Sequence, residues 1–171
     1  MAEPKGSVEM RRNGLLIVLL AIVGVAVILP RLRGVAPTPS VFEDAWTLTA
    51  AKEASATQNK PVLAFLTADW CPSCQQLKRG ALTDAKVTSL IAERTIPVYI
   101  NVDESAQDAR TFANVSAIPT LIIEYQGREL GRSVGAKSAS KLRAWLEESL
   151  ARADDTAPAV GDASAAVKPT D

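Results

Sequence analysis

Cys71 and Cys74 are the only cysteines in the chain, and they stand three positions apart in Trp70-Cys71-Pro72-Ser73-Cys74. Thiols at i and i+3 share one helix face and lie within disulfide reach. Pro72 suits the first position of a helix, where its missing N–H is no loss. Cys71 then becomes the N-cap, facing unpaired backbone N–H groups and the positive end of the helix dipole. Both favour thiolate over thiol and lower the Cys71 pKa from its free value of about 8.5. Cys74 sits one turn later and more enclosed. The spacing therefore predicts a dithiol–disulfide exchanger with Cys71 as nucleophile and Cys74 as resolving thiol, the two forming a redox-active disulfide.

Other readings of the pair compete with this one. A structural disulfide suits an exported protein, but closing a two-residue gap constrains the unfolded chain little. Two inert, buried cysteines leave the proline between them without a purpose. A metal site needs more ligands, and the chain has no third cysteine and no histidine. The absence of histidine also removes histidine general bases and the Ser/His/Asp and Cys/His nucleophile pairs. No metal or other cofactor is expected.

The 171 residues allow one domain of ordinary size plus tails. Lysine plus arginine and aspartate plus glutamate each total 19, a balance that argues against a nucleic-acid partner. Apolar residues make up 47% and charged residues 22%, the range of globular proteins.

The charge is unevenly placed. Residues 1–33 hold five basic and two acidic groups, net +3, and residues 34–171 hold fourteen basic and seventeen acidic, net −3. From Gly14 to Leu29 the chain reads GLLIVLLAIVGVAVIL, with Arg11 and Arg12 before it and Arg31 and Arg33 after. As a helix of about 1.5 Å rise per residue it falls somewhat short of the ~30 Å hydrocarbon core. Snorkelling arginines and local thinning of the bilayer can make up the difference. A cleaved signal peptide is one alternative, although its best cleavage triplet, Gly34-Val35-Ala36, is followed at once by Pro37, and a buried soluble helix is another, although nothing polar marks an outer face. The expected order is a cytoplasmic lead over 1–13, a transmembrane signal anchor over 14–30 and a proline-bearing tether over 31–40. A folded domain over 41–151 and a disordered tail over 152–171 follow.

Helices and strands alternate within the folded unit. Phe42, Ala45, Trp46, Thr49 and Ala50 follow amphipathic helix spacing. PVLAFLTA from Pro61 reads as a strand buried on both faces. Thr83 or Asp84 caps a helix through Val87, Leu90 and Ile91. IPVYINV (96–102) reads as a strand, and a polar helix spans about Ser105 to Asn114. TLIIEY (120–125) and ELGRSV (129–134) flank Gln126-Gly127 as a hairpin. Ser138 caps a last helix with Leu142, Trp145, Leu146 and Leu150 on one face. The order α-β-α-α-β-α-β-β-α predicts an α/β sandwich whose first two strands are parallel, because they need a crossover.

With these features in place, residues 60–150 resemble a thioredoxin-fold domain. The likeness rests on the Cys-Pro-Ser-Cys motif, on Ile118-Pro119-Thr120, and on Gly127 and Gly135, eight and sixteen residues after that proline. Thr67-Ala68-Asp69-Trp70-Cys71 is most similar to the C-terminal thioredoxin-like domain of the transmembrane thiol–disulfide interchange proteins. The resemblance implies a central mixed sheet, a cis bond before Pro119, and substrate binding by Trp70, Ile118 and Pro119. It also makes Pro72 and Ser73 the residues that tune the potential. One departure is Phe65, which occupies the position where many thioredoxins carry a buried aspartate serving the second cysteine. With no histidine between the cysteines, the potential is expected near the reductase end, within roughly −180 to −270 mV.

The functional expectation is a membrane-anchored oxidoreductase whose domain faces the periplasmic, extracytoplasmic side. It reduces disulfides of exported protein substrates and is re-reduced by an electron-donor thiol protein. A module that holds thiol-bearing clients without turnover, for example in cytochrome maturation, is the alternative from another class. A disulfide oxidase or isomerase is the alternative within the enzyme class.

Overall fold

The computed structural model describes Gly14, residues 16–25 and residues 34–156. The chain divides into two compact units, residues 1–36 and 37–171. In the first, residues 16–25 are helical, and the large apolar side chains from Leu16 to Val25 are exposed. Among the described residues no helix is long and apolar enough to cross a membrane. The expected lead, the rest of the expected anchor, the start of the tether and the tail beyond Thr156 lie outside the described residues.

The second unit opens on a 3-10 turn, Ser40–Phe42, followed by helix α1 (Leu48–Gln58) and strand β1 (Val62–Thr67). Helix α2 (Pro72–Arg79), a 3-10 turn (Ala81–Thr83), helix α3 (Ala85–Arg94) and strand β2 (Ile96–Asn101) follow. Helix α4 (Ala106–Thr111), strands β3 (Thr120–Tyr125) and β4 (Arg128–Val134), and helix α5 (Ala139–Thr156) complete it. The four strands form one mixed sheet in the order β2-β1-β3-β4, with β1 and β2 parallel and the other pairs antiparallel. This is the α/β sandwich with parallel first strands that the alternating periodicities imply, and its mixed sheet is the one the family resemblance implies.

Every residue of β1 is buried because both faces of the sheet are covered. Leu63 and Phe65 point into a core shared with Leu77 of α2, Val87 and Ile91 of α3, and Leu142, Leu146 and Leu150 of α5. Val62, Ala64 and Leu66 point the other way, against Leu48, Ala51 and Ala54 of α1 and against Phe112. Asp84 caps α3, its Oδ1 accepting from Lys86 N and Val87 N at 3.0 and 3.1 Å. Gln126 (φ 51°) and Gly127 (φ 74°) turn the β3–β4 hairpin, both in the left-handed region that a two-residue turn of this kind requires.

The structure corrects three boundaries. The helix expected from Phe42 begins only at Leu48, where the Thr47 hydroxyl accepts from Ala50 N. Phe42 instead enters the core beside Phe65 and Tyr99, and Trp46 N donates to Pro97 O on the edge strand β2. Helix α4 stops at Thr111 because Phe112 turns extended and joins the core, and Asn114 follows at φ 57°. Helix α5 runs past residue 151 to Thr156, held by the buried Ala153 and by Arg94, whose guanidinium grips both Asp154 carboxylate oxygens at 2.8 and 2.9 Å.

Gly131 marks where β4 meets α5 most closely. A Cβ there would collide with Ser149 Oγ and lie 2.9 Å from Ser149 Cβ. Ser149 is fully buried mid-helix, so it has no free direction in which to move. Gly131→Ala is expected to lower unfolding stability by about 1–3 kcal/mol through overpacking. Urea titration of the two proteins reads that difference directly.

Candidate active site

The chemistry gathers at the ends of the parallel strands. Strand β1 pairs Thr67 with Asn101 of β2, so the segments leaving both strands emerge side by side. Ala68 to Trp70 then lead into α2. Cys71 is the N-cap (φ −85°, ψ 112°), Pro72 is the first helical residue, and Cys71 Sγ accepts from Cys74 N at 3.2 Å. Cys71 and Cys74 form a disulfide with their Cα atoms 5.2 Å apart. Cys71 is 3% exposed and Cys74 fully buried, so of the two residues only the first reaches the surface.

The loop before β3 closes over this pair. The Ile118–Pro119 peptide is cis. Ile118 O lies 3.7 Å from Cys71 Sγ and 3.5 Å from Ser73 Oγ, and Ser73 Oγ lies 3.3 Å from Cys71 Sγ. Ser73 can thus donate to a Cys71 thiolate, which gives the residue between the cysteines a direct way to influence it. Pro72, by contrast, contributes the helix start. Pro119 has no N–H, and its carbonyl accepts from Gly135 N at 2.8 Å, which ties the loop to the end of β4.

Trp70 is 67% exposed, and its indole Nε1 donates to Asp103 Oδ2 at 2.8 Å. Asp103 is in turn positioned by Asn101, whose Oδ1 accepts from Asp103 N at 3.1 Å. A groove of about 630 Å³ runs from Trp70 past Val102, Ala109 and Phe112 to Val115 and Ile118. It ends at Ile118, whose carbonyl lies 3.7 Å from Cys71 Sγ. Its outer wall is fixed by Arg132, whose guanidinium donates to Ala113 O at 2.8 Å and Asn114 O at 3.2 Å while gripping the Glu129 carboxylate. The Arg132 hydrogen bond holds the Glu129 carboxyl below the usual carboxylate range, against a smaller opposing effect of burial. This contribution is present at neutral pH and is lost as pH falls through the lowered value.

All the residues expected at the site, Trp70, Cys71, Pro72, Ser73, Cys74, Ile118 and Pro119, come together here. Three others were not anticipated: Asp103, Lys78 and Arg132. Lys78 lies one turn after Cys74 on α2 and is buried, which a lysine's residue type argues against. The other two depend on strand register, which residue spacing does not carry.

Residues 48–150 match the family of thioredoxin-like domains. The thiol:disulfide interchange protein DsbD of Actinobacillus pleuropneumoniae is 30% identical over 113 residues, covering 63% of this chain and 19% of that protein. The match thus takes in about a fifth of the interchange protein's length. A thioredoxin of Mycobacterium tuberculosis is 35% identical over 86 residues, 50% of this chain and 71% of that protein. Among solved structures, a thioredoxin from Thermus thermophilus superposes with a TM-score of 0.58 at 22% identity, covering 66% of this chain and 91% of that one. The C-terminal domain of Neisseria meningitidis DsbD in its reduced form gives a TM-score of 0.50 at 22% identity, covering 60% and 93%. At such identities the superpositions speak for the fold.

Proposed function

The chain belongs to the thioredoxin-like domain family and is a thiol–disulfide oxidoreductase, and we propose that it works as a membrane-anchored reductase of exported proteins. In this reading the Cys71 thiolate attacks one sulfur of a substrate disulfide. The substrate S–S bond breaks, its other sulfur leaves as a thiolate, and a mixed disulfide with Cys71 forms. Cys74 loses its proton and attacks the Cys71 sulfur, releasing the substrate as a dithiol and leaving the Cys71–Cys74 disulfide. Two electrons have passed to the substrate, and a donor thiol protein returns the pair to the dithiol.

One observation carries the exchange reading: Cys71 Sγ caps α2, where the helix N-terminus stabilises negative charge, and it faces Ile118 O beside the groove. The groove beside the Ile118–Pro119 loop suits an extended client strand, with the exposed Trp70 as its apolar rest. The relative named as a thiol:disulfide interchange protein supports exchange with thiol partners. The anchor is supported by the apolar run from Gly14 to Leu29, by the arginines on both sides, and by the exposed side chains of residues 16–25.

The full chain in detergent, supplied with dithiothreitol, is expected to accelerate insulin reduction, and Cys71→Ser is expected to abolish the acceleration. Absence of any acceleration would favour a module that holds clients without turnover. Placement is tested separately: a membrane-impermeant thiol reagent should label Cys71 in intact, reduced cells. Labelling only after lysis would put the domain on the cytoplasmic side.

A further inference from the structure

Lys78 is a buried cation that the exchange mechanism leaves unused. Its side chain is 1% exposed, its ammonium meets Asp69 Oδ1 at 3.2 Å, and it sits 5.1 Å from the centre of the Tyr99 ring. Burying an ammonium is expensive unless it is paired, so this position has a strong demand for an anion. The anion it takes is on the active-site loop. Asp69 precedes Cys71 by two residues, which limits the Cα separation to about 7 Å even in a fully extended chain. The Asp69 side chain is 51% exposed and is held on α2 by Lys78, while Gln75 Nε2 donates to the Asp69 backbone carbonyl at 3.0 Å and fixes the loop itself.

A carboxylate that close opposes formation of a thiolate on Cys71, because like charges repel. The helix N-terminus and the Ser73 hydroxyl favour the thiolate, and Asp69 alone would work against them. We infer that Lys78 is a positioning residue for the exchange reaction: its ammonium neutralises Asp69 and keeps the carboxylate turned onto α2, so that Cys71 remains a thiolate at neutral pH. The inference rests on Cys71 being the nucleophile. Among the described residues, the charged and titratable groups that face this arrangement include Cys74 itself, Asp69 on the same loop, Lys78 on α2 with Tyr99 of β2 against it, and Asp103 beyond β2, whose carboxylate is engaged by the Trp70 indole. The Ile118–Pro119 loop brings none.

The test reads the thiolate without turnover. In a Cys74→Ser background, with the full chain in detergent, the rate of Cys71 alkylation by iodoacetamide is followed against pH. Lys78→Met should slow alkylation at pH 7 roughly threefold to tenfold, the size expected for one partly solvent-screened charge several ångströms away, and should move the midpoint to higher pH. Asp69→Asn should leave the rate equal or faster. The decisive result is the double variant: Lys78→Met with Asp69→Asn should return to the parent rate, because the offending charge is gone. Should Lys78→Met fail to fold, Lys78→Gln, which can still donate to Asp69 but carries no charge, has the same expectation. A rate unchanged in the Lys78 variant, or a double variant as slow as the single, overturns the inference. A parent Cys71 that alkylates no faster than an ordinary thiol overturns the nucleophile assignment and this inference with it.

Discussion

Cys74→Ser is expected to accumulate mixed disulfides with client proteins, and Cys71→Ser to accumulate none. The asymmetry follows from where the two sulfurs sit. Cys71 caps α2 with 3% of its surface exposed and faces Ile118 O, whereas Cys74 is fully enclosed between α2 and the sheet. The groove that starts at Trp70 ends at Ile118, whose carbonyl faces the first sulfur, whereas the second cysteine is fully buried. Once Cys71 has attacked, release depends on an internal thiol one helical turn away, whose Cα lies only 5.2 Å off. Serine in that place cannot attack, so the mixed disulfide persists. Reductive turnover is lost in both variants, but for opposite reasons, and non-reducing gels separate them. Equal trapping by both variants would show that either sulfur can attack and would remove the division of labour.

How far such a site can be read from residues depends on what holds each part. The cap at Cys71, the proline after it, the buried run of β1 and the Gln126-Gly127 turn are local features, and each appears in the structure where its spacing places it. The segment from Phe42 to Trp46 misled because its apolar residues serve different partners. Phe42 packs on Phe65, whereas Trp46 is tied through its backbone to Pro97. Helical spacing arose there without a helix. The pairing of Trp70 with Asp103 was illegible for another reason, since 33 residues separate them and only the parallel register of Thr67 with Asn101 brings them together. Lys78 shows the limit of composition rules. A lysine on a helix is normally solvated, and this one is buried because the loop before Cys71 folds back to supply a carboxylate.

Phe65 carries the remaining large effect, and it concerns how Cys74 loses its proton. The side chain is fully buried, with its ring 5.5 Å from Phe42 and 5.7 Å from Tyr99. An aromatic cluster therefore lies on the sheet where the family resemblance implies a buried aspartate. Desolvation disfavours a thiolate at Cys74, so the attacking fraction is small near neutral pH. Release of substrate should accordingly be slow at pH 7 and rise with pH, by about tenfold per unit below the thiol's pKa. The first attack should show no such delay, because Cys71 has the helix N-terminus. Phe65→Asp is expected to quicken release at neutral pH while lowering stability by several kcal/mol, since it puts a carboxylate among aromatic rings. Phe65→Leu is the control, expected to weaken packing yet keep the parent's pH profile. Stopped-flow decay of the mixed disulfide distinguishes these outcomes. Decay that is already fast and flat in the parent from about pH 6 to about 9, the span over which an ordinary thiol titrates, would mean that another group takes the Cys74 proton and that the aromatic cluster imposes no penalty on release.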